Sequence, residues 1–401
     1  MTSFTSKSLK VQDPRPIGEI IQSPYDLTKV STQFARCDGR IVNRFVYPQL
    51  ANLIPQGVLT FTTHTTNQNS NASACAADDT NFLISSLSAN SIQASPDGIT
   101  WTNGSGWTAN NIPNTIIRAN TRFIAMASVG VDYTTPLVTA TGQTAAATVI
   151  KSNWTATTVA TGVGDPGCLA YSPQLGSAIF VPNTAASTTF YTLADGATAW
   201  VARTAPSSQQ KTAVTWDGKY FWITNAGALT TLTRWDGTVA IDVTIPMAIS
   251  STTIASDGAG TTVLITGTDT TIGNGGSGVI VSKDFGTTWS FITVPQSDTN
   301  LDIGYQINIA NGLFKLGGIA PMRISKDGLV WTTTGNAPAL LNNYSFTYKA
   351  GVYFMINSSS GIAHQTFTED VSKMVMPRTQ RKASNIGLTG NIGWQEWIKV
   401  S

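Results

Sequence analysis

Apolar runs along this chain are short and are punctuated by small Gly, Asn and Asp turns, the pattern of strands joined in hairpins. Val214 to Trp222 turns at Asp217-Gly218, Ile307 to Phe314 turns at Asn311-Gly312, and Tyr348 to Phe354 turns at Ala350-Gly351. Weaker copies of the same unit lie at Asp79 to Leu83, at Ala119 to Phe123, at Tyr171 to Phe180 around Gly176, and at Ala255 to Ile265 around Gly258 and Gly260. The turn centres recur on average about every 45 residues, the length of one four-stranded propeller blade. The pattern therefore predicts an all-β fold, a β-propeller of about seven blades.

A second turn follows the first within the repeat. Ser95, Asp97, Gly98 and Trp101 form one copy, Ser282, Asp284, Gly286 and Trp289 a second, and Ser325, Asp327, Gly328 and Trp331 a third. Each resembles the Asp-box of sialidase-like and related β-propellers, the copy at Ser282 in full length and the other two one residue short. Degenerate copies stand at Asp195-Gly196 before Trp200, at Trp235-Asp236-Gly237 and at Lys151-Ser152-Asn153-Trp154, and one repeat has none. The physics of the box is that of a hairpin. Asp oxygens accept N–H groups within the turn, Gly takes the positive φ, and Trp packs back over the sheet. The resemblance implies boxes on outer hairpins, away from the channel, so these residues are read as structural and not catalytic. Polar or Gly-rich stretches at Thr63 to Asp78, Val131 to Thr148 and Asp269 to Ser277 are expected to be loops on the propeller faces.

The flanks read differently. Residues 1–17, with Pro14 and Pro16 around Arg15, are expected to form an extended arm that orders against a partner. From Ile17-Gly18-Glu19-Ile20-Ile21 through Cys37-Asp38-Gly39 to Tyr47-Pro48-Gln49-Leu50, the chain resembles the tail-collar module of bacteriophage tail fibres; Ser31-Thr32-Gln33-Phe34 replaces the family's Pro-x-Gly-Trp segment. The final Gly393 to Val400 resembles the strand that closes many collar-bearing fibres. The expected organisation is an arm at 1–17, a collar-like segment at 18–56, a propeller at 57–378, and a C-terminal segment at 379–401 that completes the collar-like base. The resemblance implies a virion protein of the tail fibre, tail tip or appendage type. Its partners would be other virion proteins, held through the arm and base, and a host cell-surface glycan or protein. It also implies a homo-oligomer, with a trimer the common state of collar modules. The alternatives are a capsid or tail decoration or connector, a cellular propeller scaffold, and a sialidase-like glycan hydrolase.

Composition narrows these choices. Charged residues make up 11% of the 401, glycine numbers 35, and the net charge is +2. A concentrated basic face is absent from the sequence, so nucleic acid is not an expected partner. No apolar stretch is long enough to cross a membrane as a helix, and the opening MTSFTSKSLKVQD lacks the apolar core of a secretory signal. Cys37, Cys75 and Cys168 are widely spaced and read as buried thiols. Glutamate occurs only at Glu19, Glu369 and Glu396, and histidine only at His64 and His364. The sialidase resemblance would require an arginine triad, a tyrosine nucleophile paired with Glu, and an acid. The propeller's arginines are Arg118, Arg122, Arg203, Arg234, Arg323 and Arg378, and Met322-Arg323-Ile324 runs straight into a box. No metal-ligand spacing and no nucleophile elbow occur. No enzyme activity, cofactor or metal is therefore expected. Trp107, Tyr133, Trp216 and Tyr305 could stack on sugar rings, although a propeller tryptophan more commonly wedges between blades. The sequence names no receptor-binding residue.

Overall fold

The computed structural model describes residues 20–23, 34–36, 41–47, 50, 57–65, 72–86, 91–108, 113–127, 137–157, 166–182, 188–225, 229–249, 253–265, 278–293, 306–317, 323–333, 345–356, 363–375 and 395–399. The arm at 1–17, the Cys37-Asp38-Gly39 turn and the Asp269 to Ser277 stretch lie outside them. The chain divides into two compact units, one of residues 1–58 with 370–401 and one of 59–369. In the first, β1 (Ile20–Ser23) and β2 (Phe34–Arg36) both pair with the last strand, Gln395–Lys399, and β3 (Ile41–Asn43) pairs with Lys373–Val375. That second pairing sets Lys373–Val375, inside the stretch expected to be propeller, with the flanking unit.

The larger unit is an all-β propeller. Its chain enters through β4 (Val58–Thr65) and then builds six sheets of four consecutive strands each. The first holds β5 (Ala72–Ala77), β6 (Phe82–Ser86), β7 (Ser91–Ser95) and β8 (Thr102–Asn103). The second holds β9 (Pro113–Ala119), β10 (Arg122–Ala127), β11 (Leu137–Ala140) and β12 (Thr155–Ala156), with a one-turn helix α1 (Ala145–Thr148) before β12. Next come β13 (Pro166–Ser172), β14 (Ser177–Pro182), β15 (Thr189–Ala194) and β16 (Val201–Thr204), then β17 (Lys211–Trp216), β18 (Phe221–Asn225), β19 (Leu229–Trp235) and β20 (Ala240–Ile249). The last two are β21 (Ile254–Ser256), β22 (Thr262–Ile265), β23 (Gly278–Ser282) and β24 (Ser290–Thr293), and β25 (Gln306–Ala310), β26 (Leu313–Gly317), β27 (Arg323–Ser325) and β28 (Thr332–Thr333). A composite sheet follows, in which β29 (Phe346–Lys349), β30 (Val352–Met355) and β31 (Ala363–Asp370) take β4 as their fourth strand. The strands β32 (Lys373–Val375) and β33 (Gln395–Lys399) belong to the flanking unit.

The first strands of the sheets, β5, β9, β13, β17, β21, β25 and β29, each adjoin the next, and β29 adjoins β5. The ring is closed. Its cohesion lies between sheets, because alternate residues of a strand face opposite neighbours. On β14, Ala178 and Phe180 pack against Ile124 and Met126 of the preceding blade, while Ile179 and Val181 pack with Val214, Trp216 and Phe221 of the following one. The same arrangement repeats at every junction, down to Leu313 and Ile324 against Phe346 and Tyr353, and Phe354 and Ile356 against Cys75 and Phe82. The middle strands are covered on both faces, so strands such as Ser177–Pro182 and Phe221–Asn225 are buried at every position.

Two expected loops contain regular structure. Most of Thr63 to Asp78 consists of the end of β4 and all of β5, and Val131 to Thr148 contains β11 and α1. The reason is residue size. An innermost strand such as Ala72–Ala77 lies where the ring is narrowest, and it is built of Ala, Ser and Cys instead of the large β formers that mark a strand in a sequence. The repeat without a box is the composite sheet. Its fourth strand comes from the far end of the sequence, so no hairpin joins third strand to fourth.

Gly286 and Gly312 separate two reasons for glycine. Both have positive φ, +74° and +69°, but a Cβ at Gly286 would run into the Trp222 ring while Gly312 has nothing nearby. Gly312→Ala should cost about 1–2 kcal/mol for the left-handed backbone alone, and Gly286→Ala about 1–3 kcal/mol more for the clash. Equal midpoints for the two variants in denaturant unfolding would refute this account.

Candidate functional site

The seven first strands surround a central cavity of about 930 Å³. Its wall is mostly uncharged; Asp257 is the one carboxylate among the lining residues, and none of them is His, Lys or Arg. Asp257 is already engaged, Oδ1 accepting the N–H groups of Ala259 and Thr261 at 2.8 and 2.9 Å. Trp216 lines the wall and is nearly buried, its Nε1 donating to Gln174 Oε1 at 2.9 Å. Tyr171 donates its hydroxyl to Asp195 at 2.8 Å; burial, then the bond to that carboxylate, pushes the phenol up to about 12.

Elsewhere on the wall, Cys75 and Ser345 meet across the junction that closes the ring. The Cys75 N–H donates to Ser345 Oγ at 2.9 Å, and the thiol sulfur lies 3.2 Å from the same oxygen. Burial pushes the Cys75 thiol up to about 12 against the smaller opposing effects of Ser345 and Lys315, so it stays protonated at neutral pH and is a poor nucleophile. Among the described residues no three His, Cys, Asp or Glu side chains come together to hold a metal ion.

The three Asp-boxes lie between the third and fourth strands of their blades, away from the cavity wall. In each, the Ser hydroxyl donates to the Asp carboxylate, at 2.8 Å for Ser95, 2.9 Å for Ser282 and 3.0 Å for Ser325. The same hydroxyls accept the N–H of Gly98, Gly286 and Gly328. Asp97 Oδ1 also takes the N–H groups of Ile99 and Thr100, Asp327 those of Leu329 and Val330, and Asp284 that of Thr288. The extra residue of the longer box, Phe285, adopts φ +56° beside Gly286. Trp331 and Trp289 donate Nε1 back to Gly328 and Gly286, and Trp101 packs on Phe354 with ring centroids 5.4 Å apart.

The degenerate copies differ. Asp236 repeats the turn, accepting from Thr238 and Val239, whereas Asp195 reaches across to Asn120 and Tyr171. Lys151–Asn153 is a 3-10 turn and no Asp turn at all, because α1 and Trp154 occupy that connection. The sequence reading did not single out Asp78, Asp217 or Asp257 as turn acceptors, yet they cap the first hairpins of three blades in the same way. The signal was available as Asp followed by Gly or a polar residue at each first turn.

The remaining candidates are scattered. Trp107 is buried against Trp154 with Nε1 on the Val149 carbonyl, so it wedges between blades and presents no ring to a ligand. Tyr133 and Tyr305 lie outside the described residues, as do Cys37 and Arg378. Arg118 is paired with Asp79, Arg122 donates to the Ala194 and Ala197 carbonyls, Arg234 stacks on Tyr220, and Arg323 is buried in β27. These arginines do not converge on the cavity. Glu369 is bound to Lys326 at 2.6 Å, and His64 and His364 sit on β4 and β31 of the composite sheet.

No protein-family model matches the chain, and no curated protein matches it. Solved structures do resemble it. Virginiamycin B lyase from Staphylococcus aureus is 10% identical with a TM-score of 0.58, over 78% of this chain and 100% of that one. YCF48 bound to D1 peptide is 14% identical with a TM-score of 0.57, over 77% and 97%. The WD40 propeller domain of Doa1 is 14% identical with a TM-score of 0.53, over 79% and 97%. At these identities the likeness is one of fold.

The boxes carry an acid dependence. Slight burial tends to raise the Asp97 carboxyl, but the N–H groups of Thr100 and Ile99 and the Ser95 hydroxyl outweigh it and bring it down to about 2. A depressed folded-state value contributes stability above the unfolded value near 4, and that contribution is lost as pH falls through the folded one. Unfolding midpoints should therefore decline between about pH 4 and pH 2, and Asp97→Asn should flatten that decline. Asp97→Ala should cost about 1–2 kcal/mol at pH 7 through its lost N–H acceptor. An unchanged acid profile in Asp97→Asn would remove the carboxylate from this account.

Proposed function

We propose that this chain is a bacteriophage virion protein of the tail-fibre, tail-tip or appendage type, in which a collar-like base joins the particle and the propeller meets the host surface. The observation that carries the reading is the flanking unit. Its three-stranded sheet is made of Ile20–Ser23, Phe34–Arg36 and Gln395–Lys399, drawn from both ends of the chain. The segments that contribute these strands are the ones whose motifs resemble the tail-collar module and its closing strand. A propeller inserted between two halves of a small base is the organisation that resemblance implies.

The propeller is read as a binding body. Its cavity wall offers one engaged carboxylate and a protonated thiol, a set suited to holding a ligand and poorly suited to acid–base or nucleophilic chemistry. The few charges and the abundant Thr, Ser and Asn suit a body that works outside cells. Its likeness to virginiamycin B lyase extends to the fold and brings no residue with it.

Mass spectrometry of purified particles should find the chain in the virion, and the soluble recombinant protein should compete with particles for adsorption to host cells. Presence in the virion with no competition at saturating dose would replace attachment by a decoration role; absence from the virion would end the reading.

A further inference from the structure

Two lysines of the propeller are shielded from solvent and are treated in opposite ways. Lys211, fully buried on β17, donates to Asn225 Oδ1 at 2.7 Å and to the carbonyl and hydroxyl oxygens of Ser207 at 3.1 Å each. Its charge is fully accommodated. Lys315, equally buried on β26, has no acceptor for Nζ among the described residues. It rests over the Phe346 ring at 5.6 Å, and the titratable group that acts on it is the Cys75 thiol. Buried ammonium groups left without an acceptor are costly, and proteins pair them.

The neighbouring strand repeats the deficit. Asn308 and Lys315 are register partners in the β25–β26 hairpin, so both side chains leave the same face of the blade. Asn308 Nδ2 is also buried without an acceptor. Asn308 lines the central cavity, as do Cys75, Ser345 and Phe346. Of these two paired donors Asn308 lines the cavity, while Lys315, cationic and not itself a lining residue, is buried beside it on the same face of the blade, and no described residue supplies either with an oxygen.

We propose that this place is a carboxylate-binding site, in which a carboxylate entering from the cavity accepts from Asn308 Nδ2 with one oxygen and from Lys315 Nζ with the other. A carboxylate has the geometry to bridge two neighbouring donors and the charge to pair the ammonium. Phe346 walls the site with its ring face, and the protonated Cys75 thiol adds no competing negative charge. Burial lowers the Lys315 ammonium to about 8, which leaves it predominantly charged at pH 7 and ready for an anion. The carboxylate can belong to a small free anion or to a sugar acid that fills more of the cavity. The site stands independently of the virion reading, since it follows from the packing of the propeller alone.

Formate and glucuronate serve as the two probes, each titrated against the full-length protein at constant ionic strength with sodium methanesulfonate as the balancing salt. Formate should raise the thermal midpoint saturably, by about 2–4 °C at full occupancy, and glucose should not. A further rise with glucuronate would assign the site to a sugar acid; a rise with formate alone would assign it to a small anion. Lys315→Met should fold with a midpoint no lower than the wild type in methanesulfonate, because it removes an unpaired buried charge, and it should lose the formate response. Asn308→Ala should weaken that response at least tenfold. A crystal grown in formate should show the anion between the two nitrogens. A wild-type midpoint indifferent to both probes, a formate response that survives in Lys315→Met, or a crystal with no anion there would each overturn the proposal, and the first and last of these need no variant to fold.

Discussion

Everything in the larger unit follows from one constraint. A four-stranded sheet that is apolar on both faces cannot stand alone in water, and each blade buries its faces only by being sandwiched between two others. Phe180 and Val181 are adjacent in sequence and serve different junctions, so no blade can be removed without exposing the sides of two neighbours. A row of such sheets has two unsatisfied ends until it closes. Closure here falls between β29 and β5, and it is secured by giving the last sheet a strand, β4, from the other end of the sequence.

That closure explains features that look unrelated. The last blade lacks a box because its outer strand arrives from elsewhere. The first strands crowd round the axis, which admits one as small as Ala72–Ala77 at the closing junction. The same junction brings Cys75 and Ser345 together although they lie 270 residues apart. At the rim, Lys283 reaches the Asp327 carbonyl, Lys326 pairs with Glu369, and Lys349 reaches the Pro96 carbonyl, so successive blades are also tied by lysines from one hairpin to the next. The exposed ties from Lys283 and Lys349 add little next to the buried faces.

Polar groups inside the ring divide into those whose needs are met and those whose needs are not. The Asp turns, Lys211 and the indole N–H groups of Trp107, Trp154 and Trp331 all find partners within the fold. Folding alone accounts for them. Lys315 and Asn308 are the reverse case, and a buried cation beside a buried amide donor is costly to keep unless something outside the chain answers it.

The amino-acid order alone determined the hairpins, because each tight turn demands Gly, Asn or Asp at fixed offsets and each box carries its own hydrogen-bonding residues within seven or eight positions. It also set the blade period, and with it the propeller. Local order could not show that Ala72–Ala77 is a strand, since its placement depends on crowding at an axis that exists only once the ring is closed. Nor could it show that β4 completes the sheet of β29, β30 and β31. The symmetric hairpin around Asn311-Gly312 does set Lys315 opposite Asn308 from the sequence alone. Only the packing of the next two blades, bringing Phe346 and Cys75 over that pair without an oxygen to accept from it, turned an ordinary strand lysine into a buried ammonium without an acceptor, because burial is a property of what surrounds a residue and not of its place in the chain.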